Sequence, residues 1–255
     1  MFAFLQVADP IEQFEVKKVF DLPVAGYDLS FTNASAFMML GVIFVIALFG
    51  YTATRTSLVP TRIQSIGELG FEFVADMIRG VAGEEGLRFF PFVFTLFFFI
   101  LAANIIGMVP YNFTTTSHVI VTGALSLLVI GIVIIYGLFK NGLTFFRLFA
   151  PPGAPWPIYI ILIPIEVISF LARPLTLALR LFANMLAGHI MLKLFAGFAV
   201  ALLSAGAVYI PLALLSFGMG VALNALEFLV AFLQAYVFAI LTCVYLNDAL
   251  HPVHH

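Results

Sequence analysis

The chain has 255 residues, 63% of them hydrophobic and only 9% charged, with a net charge of −2. Soluble domains carry about 25% charged residues, so this composition, with a mean hydropathy of +1.15, excludes a water-soluble globule and describes an integral membrane protein. It also excludes a nucleic-acid partner, because no basic stripe is present to neutralise phosphates.

Residues 1–32 are mixed in charge and have no apolar run behind a basic start, so they read as an N-terminal external segment rather than a cleaved signal. Residues 36–54 (AFMMLGVIFVIALFGYTAT) have the length of a membrane-spanning helix. The stretch 60–83 differs. Ile63, Ile66, Phe73, Val74, Met77, Ile78 and Val81 recur at helical spacing, opposite Glu68, Glu72, Asp76 and Arg79. That pattern predicts an amphipathic helix lying at the interface or against a partner, and an ordinary surface helix would look the same. Residues 89–110 and 118–139 predict two further spans. Pro-Pro-Gly and Ala-Pro then mark 140–157 as a loop.

Two longer apolar runs follow, Ile158 to Leu203 and Ala205 to Asp248. Each would be about 60 Å long as a helix, twice the ~30 Å hydrocarbon core. Pro164, Pro174 and Pro211 allow a division into four spans, but no polar turn supports one. The expected architecture is therefore all-α, with five membrane-crossing helices in a single transmembrane domain over 1–255. The last two helices, over 158–248, form a long, strongly tilted hairpin that turns near Ser204–Gly206. Arg55, Arg62, Arg79 and Arg88 follow the first span, and Lys140 and Arg147 follow the third. The positive-inside rule thus puts the N-terminus outside and the C-terminus inside.

Within 158–203 the charged residues are Glu166, Arg173, Arg180 and Lys193. Glu166, Arg173 and Arg180 are spaced by seven and share a helix face, Asn184 joins them, and His189 points roughly the other way. Asn224, Glu227, Gln234 and Tyr245 form a second stripe on the last helix. In an antiparallel hairpin, Glu227 comes roughly level with Arg180–Asn184, and Glu166 and Ser169 with Tyr245. Asn104, Asn112 and His118 fall at the outer ends of their spans. The polar groups thus sort into an outer set and an inner set, with Arg180 and Gln234 between them.

Bland readings stand beside this one. Arg173 and Lys193 can snorkel to headgroups, Glu166 and Glu227 can be structural ion pairs, and His118 can be a satisfied interfacial histidine. Arg180 is the exception. It lies some twenty residues from either end of its run, where burial costs ~2.5–3.5 kcal/mol on insertion scales, which favours a functional reading. Cys243 is the lone cysteine, so it forms no intrachain disulfide. His118 and His189 have no ligand-type neighbour at helical spacing, and the terminal HPVHH is weak as a metal site, so no metal is expected. No nucleophile elbow, P-loop or HExxH appears, and no catalytic residues are assigned.

The stretches EVISFLARPLTLALRLFANMLAGHIML and LEFLVAFLQAYVFAILTCVYLNDA, with NIIGMVPYNFTTTSH upstream, strongly resemble the subunit a family of F-type ATP synthases over nearly the whole chain. The placement of histidine and acid is similar to that of alphaproteobacterial and mitochondrial members. Ala183, where many bacterial members carry glycine, fits the same group.

The resemblance implies a role in ATP synthesis as the proton-translocating stator, with no cofactor and no catalytic site. It implies partnership with a c-ring and with peripheral-stalk b-type subunits in a bilayer, the bacterial inner membrane being preferred to the mitochondrial one. Arg180 would face the ring carboxylates, beside Asn184 and Gln234. His189 and Glu227 would lie on the outer proton path with Asn104, His118 and Asn224. Glu166, Ser169, Tyr245 and Arg173 would line the inner one. Two alternatives remain open from the residues themselves: a self-contained transporter, and polar stripes acting only as helix glue.

Overall fold

The structure, a computed structural model, describes residues 18–20, 23–24, 27–28, 30–54, 61–109, 112–142, 144–145 and 156–250. Arg55, Arg147 and the HPVHH tail lie outside the described residues. Among the described residues there are six α-helices: α1 (Asn33–Thr54), α2 (Arg62–Ala82), α3 (Phe90–Met108), α4 (Val119–Asn141), α5 (Trp156–Ala205) and α6 (Ile210–Leu250). All except α2 are long and apolar enough to cross a membrane, with a 3-10 stretch, Glu84–Phe89, leading into α3. The fold is that of an all-α integral membrane protein.

The N-terminal segment holds short strands that the sequence reading did not anticipate. β1 (Lys18–Phe20) pairs antiparallel with β4 (Phe31–Thr32), and β2 (Pro23–Val24) with β3 (Tyr27–Asp28) inside it. Runs of two or three residues are too short to carry a readable alternation.

The two long runs are single helices. α5 has 50 residues with Pro164 and Pro174 inside it, which removes the four-span alternative. Pro211 is the second residue of α6, where a proline's missing N–H is no loss. At 1.5 Å per residue, α5 is about 75 Å and α6 about 62 Å long. Helices of that length keep their apolar surface within a ~30 Å hydrocarbon core only when strongly inclined.

Between them the chain turns at Gly206 and runs through a 3-10 turn, Ala207–Tyr209. Just past this turn Ser216 Oγ donates to Phe195 O at 2.9 Å.

The core is built around α6, which packs against α5, α3, α2 and α4. Ala231, Ala235 and Ala239, four residues apart, are fully buried and let neighbouring backbones approach closely. Phe97 and Phe238 are the bulkiest fully buried side chains between them. Phe73 of α2 packs on Phe97, Phe232 and Tyr236, with ring centroids 5.5 to 6.1 Å apart.

The amphipathic prediction for α2 holds for Val74, Met77 and Ile78, which are buried, but Ile63 and Ile66 are 45% and 57% exposed. At that end of α2 the inward positions are Gln64 and Gly67, and the Thr52 side chain of α1 lies against Gly67. Small groups bring the two helices together there, and the isoleucines turn outward.

At the far end of the bundle α4 closes over the last turn of α6. Asn141 Nδ2 donates to Ala249 O at 2.6 Å, and Lys140 Nζ donates to Leu250 O at 3.4 Å and pairs with Glu85 Oε2 at 3.0 Å. These donors satisfy carbonyls that a helix end leaves orphaned.

Candidate functional site

The α5–α6 hairpin brings most of the intramembrane polar residues into three groups along its length. Leu177, Leu181, Met185 and His189 recur every four residues on α5 and form its buried face. His189 therefore enters the core as one member of an otherwise apolar seam. Its Nδ1 lies 2.5 Å from Glu227 Oε1 and 3.1 Å from Met185 O. On the other side of the ring, Nε2 contacts Gly107 O at 2.9 Å and Thr114 Oγ1 at 3.1 Å. Apart from the His189 contact, both Glu227 oxygens are buried with no hydrogen-bond donor among the described residues. Gly188 makes room for this carboxyl, since a Cβ there would meet Glu227 Oε1 at 2.9 Å.

The remaining residues of the expected outer set divide. Asn104 is fully buried, and its Nδ2 donates to Ala231 O at 3.2 Å, tying α3 to α6. Asn112 Nδ2 donates to Ile106 O at 3.1 Å. His118 precedes α4 and stacks on Phe113, with centroids 4.9 Å apart and planes 17° from parallel. Burial pushes its imidazole below the usual value. Asn224 is exposed and is not brought to the His189–Glu227 pair.

Buried side-chain polar atoms without a partner concentrate in this region. Among the described residues they are Asn104 Oδ1, Thr116 Oγ1, His118 Nε2 and Glu227 Oε2, with Glu227 Oε1 met only by His189 Nδ1 and Gln234 Nε2 further along the hairpin. Unpaired buried polar atoms are costly and call for a specific explanation, ordered water or function among them.

In the middle group Asn184 Nδ2 donates to Gln234 Oε1 at 2.9 Å. One turn away Arg180 stands exposed and makes no hydrogen bond or ion pair with any described residue. Thr176, Ala183 and Ala187 are exposed with it on the same open face of α5. The alanines leave room for another helix to approach the arginine closely.

The third group lies toward the end of α6. Arg173 Nη1 donates to Asp248 Oδ2 at 2.6 Å, and its guanidinium sits 5.2 Å from the Tyr245 ring centroid and 5.6 Å from that of Phe170. Arg173 is therefore a paired, ring-stacked residue rather than one reaching for headgroups. Glu166 comes only to 4.0 Å from Arg173 Nη2, and Ser169 is exposed.

These contacts correct the expected levels. Glu227 is level with His189 rather than with Arg180–Asn184, and Tyr245 is level with Arg173 rather than with Glu166 and Ser169. A fold symmetric about Ser204–Gly206 ignores the turn at Gly206–Tyr209, which delays the start of α6 to Ile210 and shifts its register by more than a helical turn.

Sequence reasoning also missed Thr114 and Asp248. The buried hydroxyl run 114–117 beside an outer span end was a signal for the first. An acid within a turn of the last helix's end was a signal for the second. Among the described residues no three His, Cys, Asp or Glu side chains gather closely enough to hold a metal ion.

The family model described as ATP synthase A chain matches residues 35–247. A protein named ATP synthase subunit a from Hyphomonas neptunium is 72% identical over 247 residues, covering 97% of this chain and 98% of its own length. Proteins of the same name from Mesorhizobium japonicum and Brucella canis are 56% and 57% identical over 246 residues. Each match covers 96% of this chain and 98% or 99% of the relative.

Proposed function

The chain belongs to the ATP synthase A chain family, and on that premise we propose that it is the proton-translocating stator subunit of an ATP synthase, without a catalytic site or cofactor of its own. Its proton path has two offset halves along the 158–248 hairpin. Asn104, His118, His189 and Glu227 serve the outer half, and Glu166, Arg173 and Tyr245 serve the inner one, with Asp248 added to them. Asn224 and Ser169 remain in this assignment as exposed polar groups outside the buried clusters. Arg180, flanked by Asn184 and Gln234, faces the carboxylates of a c-ring.

What supports this reading is the separation of two ionisable pairs, the buried His189–Glu227 and the part-buried Arg173–Asp248, with an exposed arginine between them. Along α5, Arg180 stands about 13 Å from His189 and about 10 Å from Arg173, too far for a direct proton hop. A proton arriving by the outer half neutralises a ring carboxylate, which then turns into lipid at tolerable cost. A returning carboxyl gives up its proton to the inner half while Arg180 stabilises the resulting anion. Guanidinium is never deprotonated in proteins, so Arg180 separates the halves and does not bridge them. Each proton crossing supplies about 2.3 kcal/mol per 100 mV.

The setting is a bacterial inner membrane, with the N-terminus outside, the C-terminus cytoplasmic, and peripheral-stalk b-type subunits as further partners. Arg180→Ala abolishes ATP-driven proton pumping by the reconstituted complex while the soluble head still hydrolyses ATP; normal pumping by that variant sinks the reading.

A second reading, polar residues as helix glue, draws on the Asn104–Ala231 and Asn184–Gln234 bonds. It is favoured if Glu227→Gln and His189→Ala leave proton flux unchanged.

A further inference from the structure

We infer that Thr114, together with the carbonyl of Gly107, holds the His189 ring with its proton fixed on Nε2, so that the proton exchanged at this site is the one shared between Nδ1 and Glu227. The inference rests on the placement of His189 and Glu227 in the proton path, and it adds Thr114 as a positioning residue.

A backbone carbonyl only accepts, and both ring nitrogens face one, Nε2 meeting Gly107 O at 2.9 Å and Nδ1 meeting Met185 O at 3.1 Å. The two sides differ in that Glu227 beside Nδ1 can itself hold the proton on that side, whereas among the described residues Nε2 faces no titratable group, so in the neutral ring the hydrogen stays on Nε2. Thr114 Oγ1 completes the arrangement. It donates to Gly107 O at 3.3 Å and accepts from Nε2–H at 3.1 Å. The hydroxyl is fully buried and its seat is narrow: a Cβ on Gly107 would meet Thr114 Cγ2 at 2.8 Å. The loop behind it is pinned, with Ser117 Oγ donating to Thr114 O at 2.6 Å.

On the other side of the ring Nδ1 faces Glu227 Oε1 at 2.5 Å. With Nε2–H held, a proton taken up by the pair lies between Nδ1 and Oε1, and only that proton can leave. Among the described residues, the groups facing the ring are Gly107 O from α3, Thr114 from the loop before α4, Met185 O from α5 and Glu227 from α6. Glu227 is the titratable one. A fixed tautomer gives the transfer a direction. A ring free to exchange at both nitrogens would also hand protons to the Thr114 hydroxyl, on the side of the ring away from Glu227.

The test uses the whole reconstituted synthase in vesicles with Thr114→Val, which keeps the shape and removes the hydroxyl, and Thr114→Ser, which keeps the hydroxyl. Potential-driven proton flux and the ring-nitrogen NMR signals of His189 are read together. Thr114→Val is expected to lower flux about tenfold, the factor set by one net hydrogen bond, and to give a mixture of Nε2–H and Nδ1–H signals. Thr114→Ser is expected to stay within about twofold of wild type, with the wild-type spectrum.

Wild-type flux and an unchanged spectrum in Thr114→Val overturn the inference. So does a loss in Thr114→Ser equal to that in Thr114→Val, which would assign Thr114 to packing alone. His189→Ala is the separate control: unchanged flux there overturns the proton-path reading itself, whatever Thr114 does.

Discussion

Arg173 and Asp248 meet at 2.6 Å across the end of the α5–α6 hairpin, joining the two long helices by a charged hydrogen bond where the ring of Tyr245 also stacks. Neither partner is fully sequestered, the side chains being 21% and 9% exposed. Removing one charge leaves the other in a poorly solvated place. Asp248→Asn should therefore destabilise the subunit by about 2–3 kcal/mol, somewhat below the 3–5 kcal/mol of a fully buried pair. Thermal unfolding in detergent checks this, and Arg173→Gln added to Asp248→Asn should recover part of the loss.

Gly188→Ala places a methyl group against the Glu227 carboxyl and should displace it from His189, at a cost of about 1–3 kcal/mol for overpacking. Proton flux in vesicles should fall sharply. Gly197→Ala, where a Cβ meets nothing within 4 Å, is the matched control and should conduct normally. Equal flux in the two variants would contradict the close approach.

The Asn184–Gln234 bond predicts non-additive substitutions. Asn184→Leu leaves the Gln234 amide buried with both ends unpaired and should cost about 1–3 kcal/mol. Replacing both residues by leucine should cost less than the sum of the single changes, which a double-mutant cycle on thermal stability measures.

His118 gives a pH dependence. Burial holds its imidazole below the usual 6.5, so the unfolded chain binds this proton more readily than the folded one. Stability tied to His118 is thus fully present above about pH 6.5 and declines as pH falls through that value toward the folded-state pKa. The pH dependence of the thermal midpoint should flatten between about pH 7 and 5 in His118→Gln. An equal slope in both proteins would rule out this contribution.

Five long apolar helices and the inward face of α2 at Val74, Met77 and Ile78 were legible because each depends on local composition or on the period of one helix. What tertiary packing decides was not. The register of α6 against α5 follows from the turn at Gly206–Tyr209, which no periodicity encodes, and it sets Glu227 beside His189. Thr114 looked like loop until α3 and α5 closed on it, and Asp248 marked only the end of an apolar run until Arg173 reached it. Asn224 shows the opposite error, since a shared stripe on one helix does not bring a residue to the cluster when its side of the helix faces out.

The bonds from Asn141 and Lys140 to the last carbonyls of α6 bear on mechanics as well as on helix capping. A hairpin anchored only at its Gly206 turn would swing like a tuning-fork prong when a neighbour pushed on the open face around Arg180. With the free end of α6 bolted to α4, and α4 tied through Lys140 to Glu85 in the 3-10 stretch between α2 and α3, a sideways load on α5 spreads through the whole bundle. The bundle then behaves as a bracket that keeps Arg180 in its place under such a load.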